Sequence, residues 1–528
     1  MIAPQQKVQF VDFDKKPLAR VLDLRRANFI ALDDSERGFF RQADYIDAYV
    51  RDREIACQGL IVEEHYIDRD HMEDHSVFYS SSLHAYENWC KRVHFFNVGA
   101  AALRGHFENI LDIARKGDLS AYRHECARLS REHYLGFAVI KPLSGSPIGR
   151  TVIRTFGPEK EDKTLRSFLC TRRYTTHLLG AQLSVVGLAF QQQDLGVSAC
   201  ATTALWSSLQ TLRDPNEIGG IVPAQITKLA SQYALPFGRP MPSEGLSVDQ
   251  MCMAVQSLGL APNLLKTDEY ATGRGLLYSV TCSGFASVLI LERTDGAHAV
   301  AVAGMKLRPS RPRDSFIGEA SAFIDDQASD LLAVYVHDDR YGPYLRADLK
   351  KQGNNLFLEI DATRDRTHVE LWKLTHILVP GHSKIRLSLS ALRIIALRLC
   401  VAVNRFRAAK SGVVVASKAG SAITNPEFTI VFKTTVERNY EYTEKLISND
   451  GGPAKAEVDK FLSTVILSRY IGLISLQAEY LGQVDVLVDT TSTQSNLHFS
   501  AVVIARKGEY ADLVARHLSH ECQTPFFG

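Results

Sequence analysis

The feature that most constrains the fold is a change of periodicity in the middle of the chain. From Cys200 to about Leu212, apolar residues recur at helical spacing. Further along, short apolar runs near 287–292, 298–306 and 331–337 have the length and the flanking turn residues of β-strands. A helix followed by several short strands predicts an α+β region in the middle of the chain.

The regions on either side also mix helix and strand signals. With 528 residues, and about 150 residues per domain as a guide, the chain is long enough for about three domains. We predict an N-terminal α+β region over 1–180, a central domain over 181–350 and a C-terminal α+β region over 351–528. The sequence assigns no role to the two flanking regions, and we expect residues 525–528 to form a tail.

Charge and composition exclude several classes of protein. The chain has 61 basic and 59 acidic side chains, a net charge of +2, so no basic field of the kind that binds nucleic acid is expected. It has no run of about 18 apolar residues, which predicts no membrane-spanning helix. It also lacks a secretory signal pattern, so a cytoplasmic location is expected. No phosphate-binding glycine loop or dinucleotide motif occurs, and no cofactor is predicted.

Three residues in the central region have the order that thiol catalysis needs. Cys200 begins the predicted helix, where free N–H groups and the helix dipole favour a thiolate. His298 stands between small residues at the start of a predicted strand, and Asp338 ends the next one. A histidine can accept the thiol proton, and a carboxylate can orient that histidine. The upstream glutamines 191–193 could stabilise an oxyanion.

These segments together resemble the papain-like cysteine peptidase clan, and in particular the peptidases that process bacteriocin leaders at a double glycine. The resemblance covers about a third of the chain, in the segments FQQQD (190–194), CATTAL (200–205), GLSVDQMCMAVQSLG (245–259), GAHAVAVAG (296–304) and VYVHDDRYG (334–342). It implies a helix bearing the cysteine, packed on an antiparallel sheet that bears the histidine and the aspartate.

The resemblance also implies a role for each residue. Cys200 is the expected nucleophile, His298 the general base and Asp338 the orienting acid, with Asp339 in reserve. Gln193 is the expected oxyanion donor, and Gln191 and Gln192 remain alternatives. The chain departs from the family pattern at Ala201, where glycine is usual, and at Asp339, where proline is usual.

The expected activity is that of a thiol peptidase or isopeptidase acting on a protein or peptide through a thioester. Two alternatives remain open. The same triad could catalyse acyl transfer or deamidation, or the domain could be an inactive scaffold that binds a partner protein.

Two further segments suggest function but have simpler interpretations. Residues 65–75 contain a dense set of histidines and acids that could bind a divalent ion. No zinc-hydrolase spacing is present, so a solvated acidic segment is favoured and no metal site is predicted. The basic, amphipathic helix near 387–409 could lie on a membrane surface, but a core-facing helix with a basic outer face is favoured.

Overall fold

The computed structural model has a mixed helix and sheet architecture, as the α+β prediction requires. Within the part of the chain that it describes, no helix has both the length and the apolar content needed to cross a membrane. The structure describes residues 8–14, 16–22, 24, 41–83, 85–143, 145–157, 165–194, 200–212, 220–232, 245–294, 296–309, 324–362, 367–411, 429–449, 452–492 and 498–528.

The N-terminal region is an antiparallel sheet in chain order, with helices against it. Its strands are β1 (Val8–Asp12), β2 (Gly59–Tyr66), β3 (Cys90–Phe96), β4 (Tyr134–Ile140) and β5 (Ile148–Ile153). Its helices are α1 (Leu18–Val21), α2 (Arg41–Arg51), α3 (Arg69–Asp74), α4 (Ala100–Arg115) and α5 (Leu119–Glu132). A π-helical turn, His75–Tyr79, continues α3. Gly117 separates α4 from α5, because this glycine has a φ of 74° that ends the first helix.

A short strand and a hairpin lead from this region into the next. They are β6 (Leu165–Ser167), β7 (Arg172–Leu178) and β8 (Ala181–Gly187). The predicted boundary at 180/181 falls in the tight turn between β7 and β8, where Leu179 and Gly180 both have positive φ. A boundary at that point would divide the hairpin.

The central region has most of its helices before its strands, as predicted, except that its first strand precedes its last helix. The helices are α6 (Cys200–Leu209), α7 (Pro223–Ala230), α8 (Val248–Ser257) and α9 (Tyr270–Cys282). The strands are β9 (Leu260–Lys266), β10 (Val288–Arg293), β11 (Gly296–Leu307), β12 (Ile324–Asp326), β13 (Leu331–Asp338), β14 (Gly342–Gln352), β15 (Asn355–Asp361) and β16 (Val369–His382).

Most of these strands close into an antiparallel barrel. The hydrogen-bonded order is β10, β11, β13, β14, β15 and β16, and β16 pairs again with β10. The predicted boundary at 350 lies inside β14, so the barrel continues to His382. A tight turn at Gly353, which has a φ of 60°, carries the chain directly from β14 into β15.

The C-terminal region is a third layer, again of helix and sheet. Its elements are α10 (Leu389–Ser411), β17 (Ile430–Arg438), α11 (Asn439–Ser448), α12 (Lys455–Thr464), β18 (Tyr470–Ala478), β19 (Gly482–Asp489), β20 (Phe499–Lys507), α13 (Ala511–Cys522) and β21 (Phe526–Phe527). The strand β12 from the central region joins this sheet beside β17. The two regions are therefore connected through a shared sheet.

Two predictions for this region can be judged on burial. The helix α10 buries Leu392, Ala396 and Cys400 in the main core, which confirms the core-facing interpretation. The predicted tail is wrong, because Phe526–Phe527 pairs in parallel with β20 and Phe527 is buried.

Candidate active site

Cys200 is the first residue of α6, a helix whose following residues are almost entirely buried. The helix packs on β11. It is held by polar bonds as well, since the Ser207 hydroxyl donates to the Ala189 carbonyl (2.8 Å) and the Trp206 indole donates to the Ile221 carbonyl (3.1 Å). Cys200 itself is half-buried, whereas six other cysteines are fully buried. Ser198, which the sequence suggests as the N-terminal cap of this helix, lies outside the described residues.

The pairing of β11 with β13 brings the predicted histidine and aspartate together. Ala301 lies opposite His337 in this antiparallel pair. His298, near the start of β11, is therefore level with the end of β13, where Asp338 stands. His298 Nε2 lies 3.0 Å from Asp338 Oδ1, and both side chains are buried. The contact is an ion pair that lacks the angle of a hydrogen bond.

The surroundings of His298 favour its charged form. Burial lowers its pKa, but the charge of Asp338 and a hydrogen bond with Cys200, helped by Asp339, outweigh burial and raise the pKa to about 10. For Asp338 the balance has the opposite sign: burial raises the pKa, but His298 and Arg340 bring it well below its usual range. At neutral pH the pair is therefore an imidazolium and a carboxylate. Because Nε2 faces the carboxylates, Nδ1 is left for the Cys200 sulfur.

Asp338 is better placed than Asp339 to orient the histidine. Arg340 holds both Asp338 oxygens, since its backbone N–H and Nε donate to Oδ1 (3.0 and 3.2 Å) and Nη2 donates to Oδ2 (2.9 Å). Asp339 Oδ1 is 3.8 Å from His298 Nε2, and its buried carboxyl group has no hydrogen-bond partner among the described residues. Burial and the neighbouring Asp338 charge, opposed by His298, raise the pKa of Asp339 to about 7.

The sequence did not reveal a group of side chains that surrounds this pair. Arg340 Nη2 also donates to Glu370 (2.8 Å), and the Trp372 indole donates to the same carboxylate (2.9 Å). The Trp372 ring lies 5.7 Å from the His298 ring and covers it. Both Glu370 and Trp372 stand on β16, two residues apart and hence on one face of the strand. Their spacing was the available signal, but nothing in the sequence related them to His298.

The N-terminal region supports the turn that carries Asp338. Gln42 on α2 donates to the Asp339 carbonyl (3.0 Å). The ring of Tyr45 packs on Gly342, where an added Cβ would lie only 2.2 Å from a ring carbon. Residues 1–180 therefore have at least a structural role at the site.

The three candidate oxyanion glutamines differ in their surroundings. Gln192 is occupied, because its Oε1 accepts from the Ile148 N–H (3.2 Å) and its Nε2 donates to the Gly145 carbonyl (3.4 Å). Gln191 is buried and Gln193 is half-buried. Gln191 and Gln193 therefore remain the candidates.

Among the described residues, one group of side chains is close enough to share a metal ion. It consists of His298, Asp338 and Asp339, whose ligand atoms lie within 4.8 Å of one another. The hydrogen bonds from Arg340 to both oxygens of Asp338, and the positive charge they bring, oppose a cation at this position.

The histidine-rich segment 65–75 is not such a group, and it is not a solvated segment either. Asp68, Asp70, His71 and Asp74 are buried. Asp68 caps α3 and pairs with Arg150 (2.6 Å). The Nε2 atoms of His71 and His75 lie 3.0 Å from the backbone carbonyl oxygens of Glu87 and Tyr86. The favoured interpretation was therefore wrong in its exposure, because these side chains tie the segment into the fold.

The sequence of this chain matches no protein-family model, and no curated protein matches it either.

Proposed function

We propose that this protein is a papain-like thiol hydrolase, a peptidase or isopeptidase that uses Cys200, His298 and Asp338. The observation that carries the proposal is the buried pair of His298 and Asp338, 3.0 Å apart, with Cys200 at the start of the helix that packs on the strand of His298. A buried imidazolium beside a half-buried thiol at a helix start is the environment that stabilises a thiolate. Nine free cysteines are also consistent with a reducing, cytoplasmic location.

The proposed reaction has two halves. In the resting site His298 already carries the proton of the Cys200 thiol, so the sulfur attacks the substrate carbonyl as a thiolate to form a C–S bond and an oxyanion. Gln193 or Gln191 would donate to that oxyanion. His298 then returns the proton to the leaving amine as the C–N bond breaks. Water, deprotonated by His298, hydrolyses the thioester and restores the thiol, while Asp338 holds the ring in place throughout.

Site-by-site alkylation tests the proposal without a known substrate. Native protein is treated with iodoacetamide from pH 5 to 9, and each cysteine is quantified by peptide mass. Cys200 should react fastest near pH 6. Cys252 is the internal control, since it is also half-buried but burial raises its pKa. Equal rates at Cys200 and Cys252 would contradict an activated thiol.

A second measurement separates a hydrolase from an inactive scaffold. A peptide library derived from a whole proteome is incubated with wild type and with Cys200→Ala, and new termini are identified by mass spectrometry. Cleavages that occur only with wild type support hydrolysis. An alkylated Cys200 without any new termini would leave transfer or deamidation, which an added amine would reveal as amide products.

A further inference from the structure

The surface around β7 contains a cavity that the proposed reaction does not use. It has a volume of about 460 Å³ and lies between β7 and the sheet of the N-terminal region. That volume is within the range of small-molecule sites, which is about 300–1,000 Å³. Its lining includes Arg92, Arg150, Arg172, Arg173 and His177, and it contains no aspartate or glutamate. It shares no lining residue with the site around Cys200.

Two of these arginines are fixed by carboxylates behind the cavity wall. Arg92 pairs with Glu63, and Arg150 pairs with Asp68 at 2.6 Å and with Asp70 at 3.9 Å. Arg92 is also rigid, because its two Nη atoms donate to the Thr176 hydroxyl (2.9 Å) and the His177 carbonyl (2.8 Å). These pairs give the wall a fixed shape.

The other two arginines, Arg172 and Arg173, have no carboxylate partner in the described part of the chain that offsets their positive charge. Among the described residues, no carboxylate oxygen lies within 4 Å of the guanidinium groups of Arg172 or Arg173. Arg172 is held over the ring of Tyr174, with its guanidinium carbon 4.2 Å from the ring centre. Arg173 donates to the Ser184 hydroxyl (3.1 Å), a neutral partner. In a chain with a net charge of +2, this local excess of positive charge is not a consequence of composition.

We propose that this cavity binds a phosphate monoester. The guanidinium groups of Arg172 and Arg173 line the cavity and have no carboxylate partner among the described residues. They suit a phosphate dianion, because each planar fork can donate two parallel hydrogen bonds to its oxygens. The cavity volume leaves room for an organic group beside the phosphate. The ester could be a small phosphorylated molecule or a phosphorylated side chain of a protein, and the chemistry at the arginines is the same for both.

Isothermal titration calorimetry at constant ionic strength tests the proposal. The probes are phenyl phosphate, a short phosphoserine peptide and its unphosphorylated form. Wild type should bind at least one phosphorylated probe saturably in the millimolar range or tighter, and the unphosphorylated peptide should not bind. Whichever phosphorylated probe binds more tightly identifies the source of the ester.

Variants then locate the site. Arg172→Gln and Arg173→Gln should each weaken binding by about tenfold or more, the loss of one charge-assisted pair. Arg123→Gln, an exposed arginine on α5, is the matched control and should bind as wild type does. Arg173 is exposed, so its substitution tests the site even if Arg172→Gln does not fold. No saturable binding of either phosphorylated probe, or equal binding by Arg173→Gln and Arg123→Gln, would overturn the proposal.

Discussion

Two buried histidines in this protein have opposite ionisation behaviour. His71, in the acidic segment 65–75, has its pKa lowered by burial, and its Nε2 faces a backbone carbonyl. His298, in the barrel, is equally hidden from solvent, yet the carboxylate of Asp338 raises its pKa to about 10. Burial alone therefore does not decide the charge of a histidine. What decides it here is whether the nearest acceptor is a neutral carbonyl or a carboxylate.

The same comparison explains why a high density of ionisable residues in the sequence did not indicate the position of the candidate active site. The segment 65–75 has more histidines and acids per residue than any part of the barrel, but they cap a helix and bond to the backbone. In the described part of the barrel, His298 from β11 meets Asp338 and Asp339 at the end of β13, about forty residues further along the chain. The following predictions test this difference, from the largest expected effect to the smallest.

Removing the charged histidine should have the largest effect. His298→Ala should slow alkylation of Cys200 at pH 6 by about hundredfold, since an ordinary thiol with a pKa of about 8.5 is roughly 0.3% ionised there. The measurement is the rate of carboxamidomethylation by peptide mass. His75→Ala removes a histidine bonded to a carbonyl and should leave the rate unchanged. If both variants behave like wild type, the imidazolium is not what activates the thiol.

The adjacent carboxylates should have opposite effects on stability. Asp338→Asn leaves Arg340 and His298 without their buried partner and should lower the free energy of unfolding by about 3–5 kcal/mol near pH 6. The pKa of His298 is raised from 6.5 to about 10. Its stabilising contribution is therefore complete below pH 6.5 and is lost as the pH rises through about 10. The deficit of Asp338→Asn should shrink over that range.

Asp339→Asn should instead stabilise the protein at alkaline pH. The pKa of Asp339 is raised from 3.8 to about 7, so its ionisation opposes folding increasingly above pH 3.8 and fully above about pH 7. Urea unfolding at pH 4, 6, 8 and 10 measures both variants. A destabilised Asp339→Asn at pH 8 would mean that this carboxyl group has a stabilising partner.

Two tryptophans that each lie 5.7 Å from a histidine ring should respond differently to substitution. Trp372 is 4% exposed and donates to Glu370, whereas Trp89 is 40% exposed. Trp372→Phe should cost about 1–3 kcal/mol, because the half-buried carboxylate of Glu370 loses one of its donors. Trp89→Phe should change the free energy of unfolding by no more than about 0.5 kcal/mol. Guanidinium unfolding distinguishes the two, and equal costs would contradict the assigned role of Trp372.

Chelation should have the smallest effect. EDTA should shift the melting temperature by less than about 1 °C, because neither region depends on an ion for binding energy. In the segment 65–75 the Nε2 atoms of His71 and His75 contact backbone carbonyl oxygens. In the barrel, the guanidinium group of Arg340 donates hydrogen bonds to the carboxylate of Asp338. A fall of several degrees in wild type, lost in Asp339→Asn, would indicate a metal ion at the barrel site.

Local patterns predicted the parts of the site that depend on local structure. The helix beginning at Cys200 and the strands bearing His298 and Asp338 follow from apolar spacing, and all three are present. Closure of the barrel could not be predicted, because β16 pairs with β10 across more than eighty residues of chain, as His376 with Ile290. The roles of Glu370 and Trp372 could not be predicted for the same reason, since both lie on β16, far from His298 in the sequence.

Burial was the other property that the sequence did not reveal. Charged runs usually remain in solvent, yet Asp68 and Asp74 are covered by the fold. Their partners come from elsewhere in the chain, since Arg150 binds Asp68 and the Ala224 N–H donates to Asp74. The burial of Phe527 was missed for a different reason. Its strand has two residues, which is too short to produce a recognisable pattern in the sequence.

The closed barrel has a consequence for how the protein is made. Cys200 leaves the ribosome long before His382, the last residue of β16 and 182 positions later. At about 5–20 residues per second, synthesis of that stretch takes about 10–40 s. Until then β10 has no partner on one side and Trp372 cannot cover His298. Nascent chains arrested before residue 369 should therefore show no preferential alkylation at Cys200. We expect the emerging chain to carry an inert thiol, so that translation itself delays the reaction until the barrel is complete.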